Sequence, residues 1–114
     1  MNRPLALAAG VAAAASIAVA GATSAASTVN VTAGKPTEFH FRLSGTATHG
    51  RVTFRVTNRG SVKHDFKIDG GKTKLIAPGK TRTLTVTLKK GTYSYRCTVP
   101  GHAAAGMKGR LTVH

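Results

Sequence analysis

The most regular stretch of the chain runs from Thr83 to Thr98 and reads TLTVTLKKGTYSYRCT. Apolar and polar residues alternate on both sides of Lys90-Gly91, a pair typical of a turn. Alternation with a period of two is typical of a β-strand with one buried face, because successive side chains point to opposite faces of a sheet. The stretch therefore predicts two consecutive strands with threonine, lysine and arginine facing solvent.

The same alternation recurs along the chain from residue 27 to the C-terminus, with turn-forming residues between the runs. No part of this region has sustained helical periodicity. Seven or eight short strands with regular turns predict an all-β fold, a sandwich or a closed barrel. The apolar residues expected to face its core include Val29, Val31, Phe39, Phe41, Leu43, Val52, Phe54, Val56, Phe66, Ile68, Leu84, Val86, Leu88, Tyr93, Tyr95, Leu111 and Val113.

Length and composition exclude several classes of protein. The 114 residues are enough for one domain, and 17 lysines and arginines against three acids give a formal net charge of +14. A single cysteine cannot form an internal disulfide, and three acids are too few for a carboxylate-rich calcium site. No phosphate-binding glycine motif is present, so nucleotide-dependent chemistry has no support.

Residues 1–26 have the layout of a secretory signal peptide. Arg3 supplies a positive start, residues 5–20 are small and apolar, and Ala20-Gly21-Ala22 is a cleavage pattern. The alternative is a retained membrane anchor, for which this alanine-rich run is short. We therefore predict export to the periplasm or cell exterior, with residues 27–114 as the mature domain. A retained N-terminus would hold it at the outer face of the cytoplasmic membrane.

Three candidate ligands of a soft metal ion lie close together near the C-terminus. Cys97, His102 and Met107 form the pattern C-x4-H-x4-M between the last two predicted strands. Thiolate, imidazole and thioether donors select copper, zinc or iron–sulfur sites over magnesium or calcium. Two imidazoles and a thiolate in one plane, with a weak axial methionine, describe an electron-transfer copper site. The pattern supplies three of those ligands and lacks one histidine.

His64 is the best candidate for the missing imidazole. It has the inward parity of its predicted strand, where an uncompensated polar side chain would be costly and a metal ion would satisfy it. Structural alternatives exist, namely a buried thiol at Cys97, a surface imidazole at His102 and a core filler at Met107. The histidines not expected to bind metal are His40, His49 and His114.

The segments around these residues resemble the cupredoxins, the small blue copper proteins. Residues 97–109, CTVPGHAAAGMKG, resemble the copper loop of that family, azurin-like in the first half and plastocyanin-like in the second. The spacing of the loop is closest to the auracyanin type. Residues 58–66, NRGSVKHDF, resemble the family's upstream histidine segment, and residues 91–97, GTYSYRC, resemble the strand that leads to its cysteine.

This resemblance implies an eight-stranded Greek-key β-sandwich with one type 1 copper ion at one end. It assigns His64, Cys97 and His102 as equatorial ligands and Met107 as the axial ligand.

Two positions depart from the family pattern. Asp65 stands where many members have an asparagine that ties the two ligand loops together. We expect Asp65 to accept hydrogen bonds instead, for instance from Thr98, and its negative charge to favour the oxidised site. Lys63 stands where azurin-like members have glycine, which argues against a fifth, carbonyl contact from that position.

These features predict an exported carrier of single electrons, cycling Cu(I) and Cu(II), rather than an enzyme. The alternatives are a copper protein for delivery, storage or resistance, and a purely structural immunoglobulin-like module. The net charge favours acidic redox proteins as partners, or an anionic membrane surface, and solubility alone is the simpler explanation of it. We expect a monomer that does not bind nucleic acid, with the apolar residues around His102 forming the contact through which electrons pass.

Overall fold

A computed structural model describes residues 26–114. The predicted signal peptide therefore lies outside the described residues, apart from Ala26. No helix within the described range has the length and apolar character needed to cross a bilayer. Its strands are β1 Ala26–Ala33, β2 Phe41–Ser44, β3 Gly50–Asn58, β4 Lys67–Ile68, β5 Gly71–Lys72, β6 Thr81–Leu88, β7 Gly91–Arg96 and β8 Lys108–Val113.

The strands form two four-stranded sheets, in the orders β2-β1-β3-β6 and β8-β7-β4-β5. The pair β1–β3 is parallel, and the other pairs are antiparallel. The predicted all-β sandwich is confirmed. The two strands on either side of Lys90-Gly91 do not pair with each other, since β6 pairs with β3 and β7 pairs with β8 and β4. Alternation predicts which face of a strand is buried, but it carries no information on the pairing partner.

The inward faces of the two sheets enclose one apolar core. Phe54 and Phe66 are fully buried in it, and the partly buried Phe41 packs against Phe66; the ring centroids are 5.2 Å apart for Phe54 and Phe66 and 5.4 Å apart for Phe41 and Phe66. Burial of one such side chain contributes about 1.5–3 kcal/mol. The buried residues of this core are Val29, Val31, Ala47, Val52, Phe54, Val56, Phe66, Ile68, Ile76, Leu88 and Val113.

Phe39 differs from the prediction that it faces the core. The alternation of residues 39–43 continues past the end of the strand, because β2 begins only at Phe41. Phe39 belongs to the loop of residues 34–40, which a hydrogen bond of 2.9 Å from the Gly34 amide to the His40 carbonyl closes. Its side chain is 37% exposed, and its ring centroid lies 4.9 Å from that of His102.

Candidate metal centre

Strand pairing brings Cys97 and Met107 together. Cys97 directly follows β7 and Met107 directly precedes β8, and Arg96 and Lys108 are opposite each other in that pair. The Cys97 amide donates a hydrogen bond of 3.1 Å to the Met107 carbonyl. The loop of residues 97–107 therefore leaves and re-enters the sheet at the same place, which puts the thiol and the thioether at one end of the sandwich.

Tight turns return His102 to the same place. The His102 amide donates to the Val99 carbonyl at 3.0 Å, and the Met107 amide donates to the His102 carbonyl at 3.1 Å. Gly101 and Gly106 have φ values of +85° and +116°, a region of backbone conformation that favours glycine. The helix-forming residues between them are thus held in turns.

His64 reaches the site from the connection between β3 and β4. Its backbone exchanges hydrogen bonds of 3.2 Å and 2.7 Å with Ile76, which anchors it beside the sheet. Its side chain is fully buried, as its parity predicts.

Three donor atoms converge at this end of the sandwich. The Nδ1 atoms of His64 and His102 are 3.2 Å apart, and Cys97 Sγ lies 3.6 Å from Nδ1 of His102 and 4.0 Å from Nδ1 of His64. A trigonal ion with bonds of about 2.0 Å to nitrogen and about 2.3 Å to sulfur would hold two nitrogens about 3.5 Å apart, and nitrogen and sulfur about 3.7 Å apart. The spacing therefore fits one trigonal metal ion.

The position of Met107 makes its thioether the fourth candidate donor. It is fully buried in a small apolar cluster with Cys97 and Ala33, against which Phe41 and Val99 pack. This cluster is separate from the main core and lies at the metal end of the sandwich, so the thioether is held next to the thiol.

Burial disfavours charge on two of these ligands. It raises the pKa of the Cys97 thiol above its ordinary value. It also lowers the pKa of His102, and the neighbouring His64 lowers that pKa further. A neutral imidazole is the form that binds metal, and a bound cation deprotonates a coordinating thiol. The site is therefore suited to a metal ion that supplies the missing positive charge.

Asp65 joins the two ligand segments. The Thr98 amide donates to its Oδ1 at 2.6 Å, and the Thr98 hydroxyl donates to Oδ2. The Asp65 amide also donates to Cys97 Sγ at 3.5 Å. The expectation that Asp65 accepts hydrogen bonds from Thr98 is confirmed. Because Thr98 follows Cys97 and Asp65 follows His64, these bonds fix the two ligands relative to each other.

Glu38 belongs to the surroundings of the site, which sequence analysis did not predict. Its Oε2 lies 2.6 Å from Nε2 of His64, and its Oε1 accepts hydrogen bonds from the amide and hydroxyl of Ser61. The Ser61 hydrogen bonds are the main cause that lowers the pKa of Glu38 to about 2. Glu38 and His64 are 26 residues apart, and no local pattern links them.

The other three histidines are not part of this group of donor atoms, and the ring of His40 lies near Gly106 of the ligand loop. Nδ1 of His40 is 2.5 Å from the Thr37 hydroxyl, and Nδ1 of His49 is 3.0 Å from the carbonyl of His114. Within residues 26–114, none of the three joins a group of metal-binding side chains.

A two-sheet β-sandwich that gathers two histidines, a cysteine and a buried methionine at one end defines the cupredoxin class. The chain belongs to the plastocyanin/azurin family of copper-binding proteins, whose family model matches residues 13–114. Copper is therefore the metal of this site.

A curated relative and two solved structures are similar to this chain. The copper-resistant cuproprotein CopI of Pseudomonas aeruginosa is 46% identical over 49 residues, 42% of this chain and 27% of CopI. The match thus spans about a quarter of that relative's length. Auracyanin B is 26% identical with a TM-score of 0.67, over 83% of this chain and 93% of its own. Auracyanin A of Chloroflexus aurantiacus, a "blue" copper protein, shares the fold at 24% identity and a TM-score of 0.66, over 79% and 100%.

Proposed function

We propose that this protein is a one-electron carrier in which His64, Cys97 and His102 would be the principal copper ligands and Met107 would be the weaker fourth ligand. The convergence of the three donor atoms at trigonal spacing carries the proposal. Bound copper supplies the one-electron chemistry by alternating between Cu(I) and Cu(II), which this mixed donor set accommodates in both states.

The surrounding chain serves electron transfer by limiting movement of the ligands. Cys97 and Met107 are held at the ends of paired strands, and Asp65 binds the segment of Cys97 to that of His64. Ligands whose positions are fixed by packing and hydrogen bonds rearrange little when the metal changes charge. This rigidity favours fast exchange of electrons.

His102 is the ligand through which we expect electrons to enter and leave. It is only partly buried, unlike Cys97 and His64. The ring of Phe39 packs against it, and Phe39 is 37% exposed, so the apolar contact surface extends beyond the ligand loop. A small apolar surface of this kind suits brief docking.

The outer face of the sheet β8-β7-β4-β5 suggests the chemistry of the partner. Lys72, Lys67, Arg96 and Lys108, here called the cationic row, are opposite one another on successive strands. Like charges directly opposite in a sheet are destabilising, and no lysine or arginine of residues 26–114 forms an ion pair with a carboxylate. An acidic redox protein would neutralise this row. Arg96 and Lys108 adjoin Cys97 and Met107, so such a partner would lie close to the metal.

Export and the absence of catalysis are further parts of the proposal. The signal-like residues 1–26 support a location outside the cytoplasm. A carrier of single electrons needs only one copper ion and no substrate. We expect the mature domain to act as a monomer.

A role in copper resistance or delivery is the second candidate, because CopI carries copper resistance in its name. The two functions differ in how firmly copper is held. A carrier keeps its copper while electrons pass, whereas a delivery protein releases it. A reversible one-electron wave in voltammetry favours the carrier, and rapid loss of copper to a chelator favours delivery.

A visible spectrum of the copper-loaded protein tests the proposal. One equivalent of Cu(II) should produce an intense charge-transfer band from the Cys97 thiolate. A colourless protein after stoichiometric loading, with Cys97 shown to be reduced, would contradict the proposed ligand set.

A further inference from the structure

The loop of residues 34–40 places a carboxylate on the side of His64 opposite the metal-binding atoms. Nδ1 of His64 faces His102 and Cys97, whereas Nε2 lies 2.6 Å from Oε2 of Glu38. The other carboxylate oxygen accepts hydrogen bonds of 2.8 Å and 2.7 Å from the amide and hydroxyl of Ser61. Both oxygens of Glu38 are therefore engaged, and the carboxylate is held in place.

Two glycines make this contact geometrically possible. A Cβ atom on Gly60 would lie 2.9 Å from Nε2 of His64 and would collide with the Glu38 carboxylate. A Cβ atom on Gly34, whose φ is +87°, would lie 2.6 Å from Cα of Gly60. The loop of residues 34–40 and the connection from β3 to β4 thus approach too closely for a side chain at Gly34 or Gly60. The contact of Glu38 with His64 follows from the packing of the backbones.

The contact with Glu38 supplies a hydrogen-bond partner for the buried ring of His64. The His64 side chain is fully buried, and a buried N–H group needs an acceptor. Glu38 is that acceptor, which places the ring proton on Nε2 and leaves the lone pair of Nδ1 directed at the metal site. A carboxylate behind a ligand histidine also makes the histidine a stronger donor.

We propose that Glu38 is a positioning residue: through its bond to His64 it fixes the tautomer of that ligand and lowers the reduction potential of the copper site. The potential falls because the oxidised site carries one more positive charge than the reduced site, and the carboxylate stabilises it more. The inference rests on the proposed role of His64 as a copper ligand. Asp65 also carries negative charge near the site, but it does not fix the tautomer of His64, because its carboxylate bonds to Thr98.

The test compares copper-loaded full-length protein with Glu38→Gln, Glu38→Ala and Asp69→Asn. Glutamine keeps an acceptor of the same size and removes the charge, and alanine removes both. Asp69→Asn removes the same charge from the turn between β4 and β5. It suits the φ of +51° at that position. Circular dichroism confirms that each variant is folded.

The readouts are the dissociation constants of Cu(II) and Cu(I) and the reduction potential. We expect Glu38→Gln to weaken Cu(II) binding about 10-fold to 100-fold, as partners of ligand histidines do elsewhere, and Cu(I) binding much less. Each tenfold difference between the two states raises the potential by about 59 mV. Glu38→Ala should raise it further and change the copper EPR spectrum. Asp69→Asn should change neither the copper affinities nor the reduction potential.

An unchanged potential in Glu38→Gln would overturn the inference, as would an equal rise in Asp69→Asn, which would indicate a general charge effect. Nitrogen NMR of the diamagnetic Cu(I) protein reads the tautomer directly, and a proton missing from Nε2 of His64 would also overturn it. A wild-type chain that binds no copper would overturn the proposed function itself, and this is known before any variant is compared.

Discussion

Two loops meet at the metal end of the sandwich, and they contribute in different ways. The loop of residues 97–107 carries Cys97, His102 and Met107, whose spacing is visible in the sequence. The loop of residues 34–40 carries no proposed ligand, yet it places Glu38 against His64 and Phe39 against His102. The three candidate donors of one loop are recognisable from their spacing, whereas Glu38 and Phe39, which contact the two histidines, come from a distant part of the chain.

Removing the thiol from the first loop should have the largest effect. Cys97→Ala leaves no source for the charge-transfer band, so we expect complete loss of colour after Cu(II) loading. Absorption spectroscopy checks this, with circular dichroism to show that the sandwich still forms. A coloured Cys97→Ala protein would mean that the loop of residues 97–107 does not hold the metal as proposed.

Removal of the buried imidazole of His64 should have the second-largest effect. We expect His64→Ala to weaken Cu(II) binding by more than about 100-fold, the upper end of what partners behind a ligand cost. His49→Ala is the matched control, because His49 bonds to the carbonyl of His114 and should leave both affinity and spectrum unchanged. An altered spectrum in His49→Ala would identify a different upstream ligand.

Filling the space between the loop of residues 34–40 and the connection from β3 to β4 probes the second loop without changing any ligand. Gly60→Ala puts a Cβ atom against Glu38 and His64, so we expect a loss of about 1–3 kcal/mol in the free energy of unfolding and a raised reduction potential. Gly70→Ala is the control, since a Cβ atom there meets nothing within 4 Å. Denaturant titration and voltammetry measure the two effects. Equal behaviour of the two variants would mean that the close approach of Gly60 to the loop of residues 34–40 has no role.

Changing Met107 should have a smaller effect than losing Cys97 or His64. We expect Met107→Leu to keep copper and to raise the reduction potential, because the weak axial thioether tunes the site while the thiolate and imidazoles hold the metal. Leucine is of similar size, so the buried cluster with Ala33 should remain packed. Loss of copper equal to that of Cys97→Ala would refute the axial assignment.

The charged surface of the sheet that leads into the loop of residues 97–107 should have the smallest effect, and we expect it in the rate of electron exchange. Exchange of electrons with an acidic redox protein should slow as salt rises from about 10 mM to several hundred millimolar, as screening shortens the Debye length from about 30 Å to a few ångströms. Exchange with a basic partner should quicken. Stopped-flow kinetics measure both rates, and rates that are flat with salt would leave the charge as a solubility feature.

A pair of double variants locates that effect. Lys67→Gln with Lys72→Gln removes two charges of the cationic row, and Arg51→Gln with Arg55→Gln removes two from the outer face of the other sheet. We expect the first pair to slow exchange with the acidic partner at low salt several-fold more than the second, within the roughly 10-fold to 1,000-fold range of electrostatic steering. An equal slowing by the two double variants would mean that the attraction depends on the net charge and not on the cationic row.

Short-range geometry explains what was predictable from sequence. The alternation of Val52, Phe54 and Val56 predicts a buried face because neighbouring side chains on a strand point in opposite directions. The spacing of Cys97, His102 and Met107 predicts a ligand set because it spans a single loop. The inward position of His64 follows from the same parity rule. Each of these depends on residues close together in the chain.

How the distant parts of the chain meet depends on the tertiary structure. Local patterns in the sequence predict an all-β chain and the candidate donors of a copper loop, but not that β6 and β7 belong to different sheets or that Phe39 packs against His102. Nor do they indicate that Glu38 reaches His64, 26 residues away. That contact requires a closed loop and two glycine backbones packed against each other. Such contacts depend on the packing of whole sheets, which no local pattern of residues encodes.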